Sequence, residues 1–482
     1  MKPASLALLA LLALASSARA DSGAYLGESA RAVSLADAIV ARPGDTSAIY
    51  FNPAGIADLE RPTLSLYGHL GDRQVRFARA GELGAASRRV ISGYGVSLVA
   101  RLPGPEWLRR VRLGGSVHLP GTNIIRVIAP VRTDVPIEPY YGGRTDRTAV
   151  TVALGVELPY GLRLGAALSV TANLVAPTSV GFDASRGEDV DDGVIIAQDR
   201  DLTLTPSFVL GARWQVIPEL AFGLVWRQGG ATRASGTFDI RAGSIEVLDE
   251  YRFYDLLAPE EVALGVALTP IPALSLSLDL TWGRWSEYRT IHDELPDPLF
   301  SDVVDVRAGA EWRAHESLRV RLGYGFLPSP VPEQVALHNF VDSHRHELAF
   351  GLGLDLEPLA RVPVTIDLAL RFHAQHRQRA TKDPARLGDA SPGTLGQTLE
   401  NLGYPGFRSR GSVAQVALAI TVRLDGTPSA ASDEHTSEDE ASDEEASAED
   451  VSDGETSDDG TSDEDTSSED ASDEPAGEED AS

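Results

Sequence analysis

The chain has 482 residues and a formal net charge of −29, from 42 Lys and Arg against 71 Asp and Glu. Of those acids, 25 lie from Asp425 onward, where there is no Lys or Arg, so the rest of the chain is near −4 and the acidity belongs to a tail. The chain has no Cys, which excludes a lipoprotein anchor and a disulfide framework. It also has no nucleotide-binding loop, no nucleophile motif and no basic patch, so no enzymatic activity, cofactor, metal or nucleic-acid partner is expected.

In chain order, Lys2, an apolar run from Leu6 to Ala15 and the sequence Ala18-Arg19-Ala20 read as a secretory signal peptide covering residues 1–20. No later stretch approaches ~18 uninterrupted apolar residues, so a transmembrane helix is not expected. Residues 21–61 do not alternate. Within them, Asp45 to Gly55 predicts a short helical piece followed by a capped turn, with Asn52 as cap and Pro53 at the first helical position. Ahead of a barrel such a compact segment is a natural plug, and Asn52, Pro53, Ala54 and Gly55 are its expected core. A periplasmic extension that never enters the barrel is the alternative.

Residues 62–424 carry the main signal. Leu274, Leu276, Leu278, Leu280 and Trp282 alternate with Ser275, Ser277, Asp279 and Thr281. Val362 to Phe372 and Val416 to Leu424 repeat that parity. Strict alternation marks strands with one apolar wall, and the facing wall of Gly, Ala, Ser and Thr with a few charges suits a lumen better than a solvated sandwich surface. Fourteen such segments can be counted, among them 219–240, 273–288, 303–314, 317–326 and 412–424. The joints are alternately very short, as at Pro159-Tyr160, Ile217-Pro218 and His315-Glu316, and long, as at 120–147, 174–200, 241–259, 327–343 and 374–411. The expected fold is therefore all-β: an antiparallel fourteen-stranded transmembrane barrel with long loops outside, short turns inside and both mature ends periplasmic. Trp107, Trp214 and Trp312 fall near the short-turn rim, where an interfacial aromatic girdle belongs. Residues 425–482, built from Ser, Thr, Ala, Asp and Glu, cannot bury apolar surface and are expected to be a disordered spacer, with cation binding or capture of a basic partner as the alternative.

Three stretches resemble the FadL-type outer-membrane transporters of long-chain fatty acids and other hydrophobic compounds, a family that includes toluene-uptake proteins. They are Ala48 to Gly55 with its Asn-Pro-Ala-Gly; Ala258 to Gly265 continuing through Asp279 to Tyr288; and Leu318 to Tyr324 with Ser329-Pro330-Val331-Pro332 and Asp342 to Gly353. The resemblance implies a Gram-negative outer-membrane barrel with an N-terminal hatch, ligand capture at extracellular loops, a lumen site, and lateral release through a wall gap near the third strand. Gly114 and Gly115 lie in the matching strand and are the expected kink, since glycine weakens strand packing. The tail beyond Leu424 departs from the family pattern, in which the chain ends at the last strand with an aromatic residue.

A carboxylate head group needs a desolvated cation, and Arg holds it in two-pronged geometry. By parity Asp305, Arg307, Glu311, Arg313, Arg319 and Arg321 point into the lumen. Glu311 lies across from Arg319 or Arg321 and is expected to form an internal ion pair. Arg307 has only Gly323 or Gly325 as its neighbour, and so is the first candidate for the head group, with Arg321 second. Apolar loop residues, Ile124 and Ile125 in one loop and Phe182 in another, are candidates for the ligand's tail. His344, His346, His373 and His376 do not share a parity, and Glu188, Asp189, Asp191 and Asp192 lack a spaced ligand pattern, so neither set is expected to hold a metal. The expected function is facilitated diffusion of a hydrophobic small molecule by a monomer surrounded by outer-membrane lipid. The alternatives are a barrel of the same fold that holds a secreted or periplasmic partner without transport, and a polar-solute porin.

Overall fold

The computed structural model describes residues 29–79, 86–105, 108–121, 148–175, 178–183, 194–198, 201–242, 245–290, 293–387 and 403–424. The expected signal peptide, the acidic tail, Trp107, Ile124, Ile125 and the acidic run 188–192 lie outside them. No described helix is long and apolar enough to cross a membrane.

Nineteen strands form two sheets among the described residues. They are β1 (Thr63–Arg79), β2 (Ala86–Arg101), β3 (Val111–Pro120), β4 (Thr148–Glu157), β5 (Leu162–Val175), β6 (Thr178–Asp183) and β7 (Val194–Gln198). Then follow β8 (Asp201–Ile217), β9 (Leu220–Arg227), β10 (Gly230–Ala242), β11 (Ile245–Ala258), β12 (Glu261–Ile271) and β13 (Leu274–Gly283). The last are β14 (Val303–His315), β15 (Leu318–Leu327), β16 (Arg345–Asp355), β17 (Val364–Gln375), β18 (Gln378–Thr381) and β19 (Gly406–Arg423). Fourteen of them pair antiparallel with their neighbours in the order β1-β2-β3-β4-β5-β8-β9-β12-β13-β14-β15-β16-β17-β19, and β19 pairs back with β1 to close the ring. Closure leaves no strand edge, the condition a sheet must meet to cross lipid. The short β18 extends β19 at the long-loop rim, and β11-β10-β6-β7 form a separate four-stranded sheet.

Parity along the wall follows the alternation in the sequence. In β17 Thr365, Asp367, Ala369, Arg371 and His373 are buried, while Leu368, Leu370 and Phe372 are exposed on the outer face. Leu322, Leu348, Leu418 and Leu264 likewise point outward and stand roughly half exposed or more, as lipid-facing side chains must. Trp214 and Trp312 sit on that face beside the short turns, and Trp214 Nε1 donates to the Tyr160 carbonyl at 3.2 Å. The barrel is thus a transmembrane one.

Three strand boundaries differ most from the sequence reading, the simplest being β19, which starts at Gly406 rather than at 412. The segment 219–240 is two strands: β9 ends at Arg227, and after Gln228-Gly229 the chain leaves the barrel as β10 of the second sheet. Its alternation runs on through the break, because both halves are strands and periodicity is blind to a change of sheet. The segment 273–288 ends at Gly283, followed by a helical turn at Trp285–Glu287 whose Trp285 is buried.

Candidate functional site

Residues 29–58 lie inside the ring. They contain two short helices, α1 (Ala30–Ser34) and α2 (Ala48–Phe51), and a 3-10 turn, Pro53–Asp58. Ser29 caps α1, and Asn52 Oδ1 accepts from the Ala54 amide at 3.1 Å with Pro53 at the first position of the turn. Helices of four and five residues cannot persist alone, so the wall must supply their stability.

The wall does this first by absence of side chains. A Cβ on Gly165 would strike the Pro53 backbone, one on Gly323 the Leu35-Ala36 peptide, one on Gly223 the Val40 carbonyl, and one on Gly211 the Asn52 side chain. These glycines stand in cross-strand pairs: Gly155 opposite Gly165, Gly165 opposite Gly211, Gly223 opposite Gly265, and Gly309 opposite Gly323. They form a belt some four to seven residues from the short turns, roughly 14–24 Å along the strand at about 3.4 Å per residue. The backbone of 29–58 rests directly on the wall there, a close approach only glycine permits.

Polar fasteners complete the seat. Asp279 Oδ2 accepts from the Val40 amide at 2.8 Å, and Arg213 Nε donates to the Ala41 carbonyl at 2.8 Å. Asn52 Nδ2 donates to the Val40 carbonyl at 2.7 Å and to the Ala212 carbonyl of the wall at 3.2 Å. Arg227 donates to the Tyr50 carbonyl at 2.7 Å, and its guanidinium lies 4.4 Å above the Tyr50 ring. Asp58 pairs with Arg163 at 2.6 Å and Arg213 at 3.1 Å; burial pushes its carboxyl above its ordinary pKa while the two guanidiniums oppose that. Asp37 meets Arg371 at 2.7 Å and Arg307 at 3.7 Å, and Arg371 also holds Glu347 at 2.8 Å. Asp37 and Ala36 both adopt positive φ, 60° and 52°, which turns this carboxylate into the wall. Such buried charges persist because each is paired; removing one partner strands the other.

The candidate site residues fall out as follows. Asn52, Pro53, Ala54 and Gly55 are buried among the wall contacts just described. Arg307 does not face open space. It is 7% exposed, pairs with Asp305 at 3.1 Å as well as Asp37, and the room beside Gly325 is filled by Leu327 and Glu347. Parity put Arg307 on the correct face, but nothing in the strand pattern showed Asp37 arriving from 270 residues away. Arg321 pairs with Glu311 at 2.6 Å and Asp367 at 2.5 Å, the first being its direct cross-strand neighbour. At Gly114-Gly115, where a kink is expected, no bulge interrupts the pairing: β3 runs without a register shift from Arg112 to Pro120 with β2 and from Val111 to His118 with β4. Gly114 also serves the seat, since a Cβ there would come within 2.8 Å of Ile49, and Gly115 has open space on the outer face. Phe182 lies in β6. Among the described residues no group of three His, Cys, Asp or Glu is placed to hold a metal.

Sequence reasoning missed the glycine belt, Asp37, Arg371, Asp58 and Arg213. A signal for the belt existed: Gly155 and Gly165, Gly211 and Gly223, and Gly309 and Gly323 are each placed symmetrically about a short turn. Gly155 faces Gly165 and Gly309 faces Gly323 directly, whereas the register shift near Ile217 sets Gly211 opposite Val225 and Gly223 opposite Arg213.

A second cluster lies toward the long-loop rim. Tyr288 stacks on Phe300 with centroids 4.2 Å apart, and Phe340 meets both edge-on at 5.9 and 5.2 Å. Trp285, Val303, Leu327 and Val331 complete this buried group.

These features define a closed fourteen-stranded transmembrane barrel whose own N-terminal segment is seated in the lumen. No family model and no curated protein matches the chain. Among solved structures it is similar to a FadL homologue of Pseudomonas aeruginosa, with a TM-score of 0.58 and 14% identity over 85% of this chain and 100% of that one. It is also similar to the toluene transporter TodX of P. putida, with a TM-score of 0.50 and 13% identity over 84% of this chain and 100% of that one. The chain has the fold of the FadL-type outer-membrane transporters.

Proposed function

We propose that the protein carries hydrophobic small molecules, long-chain fatty acids or compounds of similar character, across the outer membrane of a Gram-negative cell by facilitated diffusion. The observation that carries this reading is the seat: residues 29–58 lie against a glycine belt and a ring of charge pairs, a construction for a closed lumen rather than for an open polar-solute pore. The long loops face outside and both mature termini of the chain face the periplasm. Capture occurs at the long-loop end, which the buried aromatic cluster of Trp285, Tyr288, Phe300 and Phe340 holds together. Burial of an apolar tail is itself favourable by ~0.8 kcal/mol per CH₂, so no energy source is needed. Residues 29–58 act as the hatch, and release is linked to its movement, with Arg307 and Arg371 acting as its latch on Asp37. Support also comes from the FadL-type fold and from the toluene transporter among its structural neighbours. The test is planar-bilayer conductance combined with uptake. A closed trace with protein-dependent entry of decanol into liposomes supports the reading; steady large currents identify an open porin, and no uptake rules out transport.

A further inference from the structure

Between the seated segment and the wall, at the short-turn rim, a cavity of about 260 Å³ is lined by six arginines, Arg31, Arg42, Arg313, Arg319, Arg321 and Arg423, against the acids Asp45, Glu311 and Asp367. Four of the six are neutralised. Arg31 shares Glu311 with Arg321, at 3.1 and 2.6 Å, and Arg321 also takes Asp367. Arg319 and Arg423 both hold Asp355, at 3.3 and 2.7 Å, and Arg423 reaches Glu357 at 3.0 Å. Asp45 is engaged by the hydroxyls of Ser29 and Ser47. Among the described residues no carboxylate pairs with Arg42 or Arg313.

Arg42 is anchored on two hydroxyls of the wall, those of Thr269 at 2.8 Å and of Ser275. Ser275 lies directly opposite Glu311, two residues from Arg313 on the same inward face of β14. The hydroxyls hold Arg42 in place without cancelling its charge. Burial first, and then the field of Arg31, push the Arg42 pKa down; Glu311 opposes this, while Arg213 and Arg313 add to it. An oxyanion placed between half-buried Arg42 and exposed Arg313 can accept charge-assisted hydrogen bonds from both guanidiniums.

We propose that this vestibule is an oxyanion-binding site centred on Arg42 and Arg313, which takes a carboxylate or phosphate group on the short-turn side of the seated segment. At about 260 Å³ the cavity fits the head group alone. The anion is therefore a small free oxyanion or the head of an amphiphile whose tail lies elsewhere. The site deepens the transport reading: a molecule crossing head-first meets a cation on the far side of the hatch.

The test uses the full chain purified in a neutral detergent, with inorganic phosphate, decanoate and decanol as probes. The double variant Arg42→Gln, Arg313→Gln is expected to lose at least tenfold in affinity for phosphate and decanoate with decanol binding unchanged. Decanoate held tenfold tighter than phosphate by the native protein assigns the site to an amphiphile's head; equal affinities assign it to a small oxyanion. Unchanged affinity of a folded double variant for both anions overturns the proposal. Should the variant not fold, phosphate protection of Arg42 and Arg313 from phenylglyoxal in the native protein supports the site, and modification at an unprotected rate overturns it. Decanol uptake into liposomes reports on transport separately, because decanol carries no charge for Arg42 or Arg313 to hold.

Discussion

The two buried regions of the lumen are held by opposite means. Around residues 29–58 the contacts are backbone against glycine and arginine against carboxylate, with apolar contacts of mostly small side chains such as Val40, Ala48, Ala153 and Ala167. Toward the long loops the packing is aromatic, around Tyr288, Phe300 and Phe340. Hydrophobic packing is non-directional and loses little when a side chain slides, whereas an ion pair on a glycine belt is satisfied in one position and lost in any other. A part that must be either seated or unseated is better fastened the second way, and loops that need only a common core are held well enough by the first.

The difference can be broken most severely at the belt. Gly165→Val puts a branched side chain where the Pro53 backbone lies. Overpacking of this kind typically costs ~1–3 kcal/mol and more where backbone cannot yield. The expected outcome is a folded barrel with an unseated segment, seen as steady conductance in a planar bilayer; a closed trace would show that the seat does not need the glycine. Arg371→Ala removes the nearer of the two arginines on Asp37 and the arginine that holds Glu347. Stranding a buried charge costs about 3–5 kcal/mol, so frequent channel openings and faster proteolysis between Asp37 and Asp58 are expected.

Phe300→Ala acts on the other region. Truncating a buried Phe costs about 3–5 kcal/mol of local stability, but the seat is untouched, so hydrophobic uptake is expected to fall with conductance still closed. Channel opening in this variant would mean that the two regions are coupled.

The smallest effect is a pH dependence at the long-loop rim. Lys382 donates to the carbonyls of Ala336 and His338, each at 2.6 Å, and burial pushes its pKa down to about 8. Between about pH 8 and the ordinary lysine value near 10.4 the unfolded chain binds more protons than the folded one, so stability rises with pH in that window and is flat below it. Hydrogen exchange of residues 334–342 followed from pH 7 to 10 should show protection growing beyond the intrinsic trend, and Lys382→Met should abolish the growth.

Much of the wall was legible in the sequence. Val364 to Phe372 alternates because lipid on one side and lumen on the other demand it, and the turn at His315-Glu316 put Glu311 near Arg321 by register alone. The break after Arg227 was not legible, because β10 alternates as well as β9 does. Nor was the role of Gly114, which the strand pattern shows as glycine in a wall and the fold shows as the floor under Ile49.

By itself the sequence determined the number of barrel strands, their inward faces and which rim has the short turns, since a period of two and the length of a joint are local properties. Only the tertiary structure decided which inward glycines carry the N-terminal segment and which arginines are consumed by it. Residues 29–58 have no period, and their partners lie 155 to 334 residues away for the pairs Asp58 with Arg213 and Asp37 with Arg371. Pairings over that distance are set by closure of the ring, which no local pattern encodes.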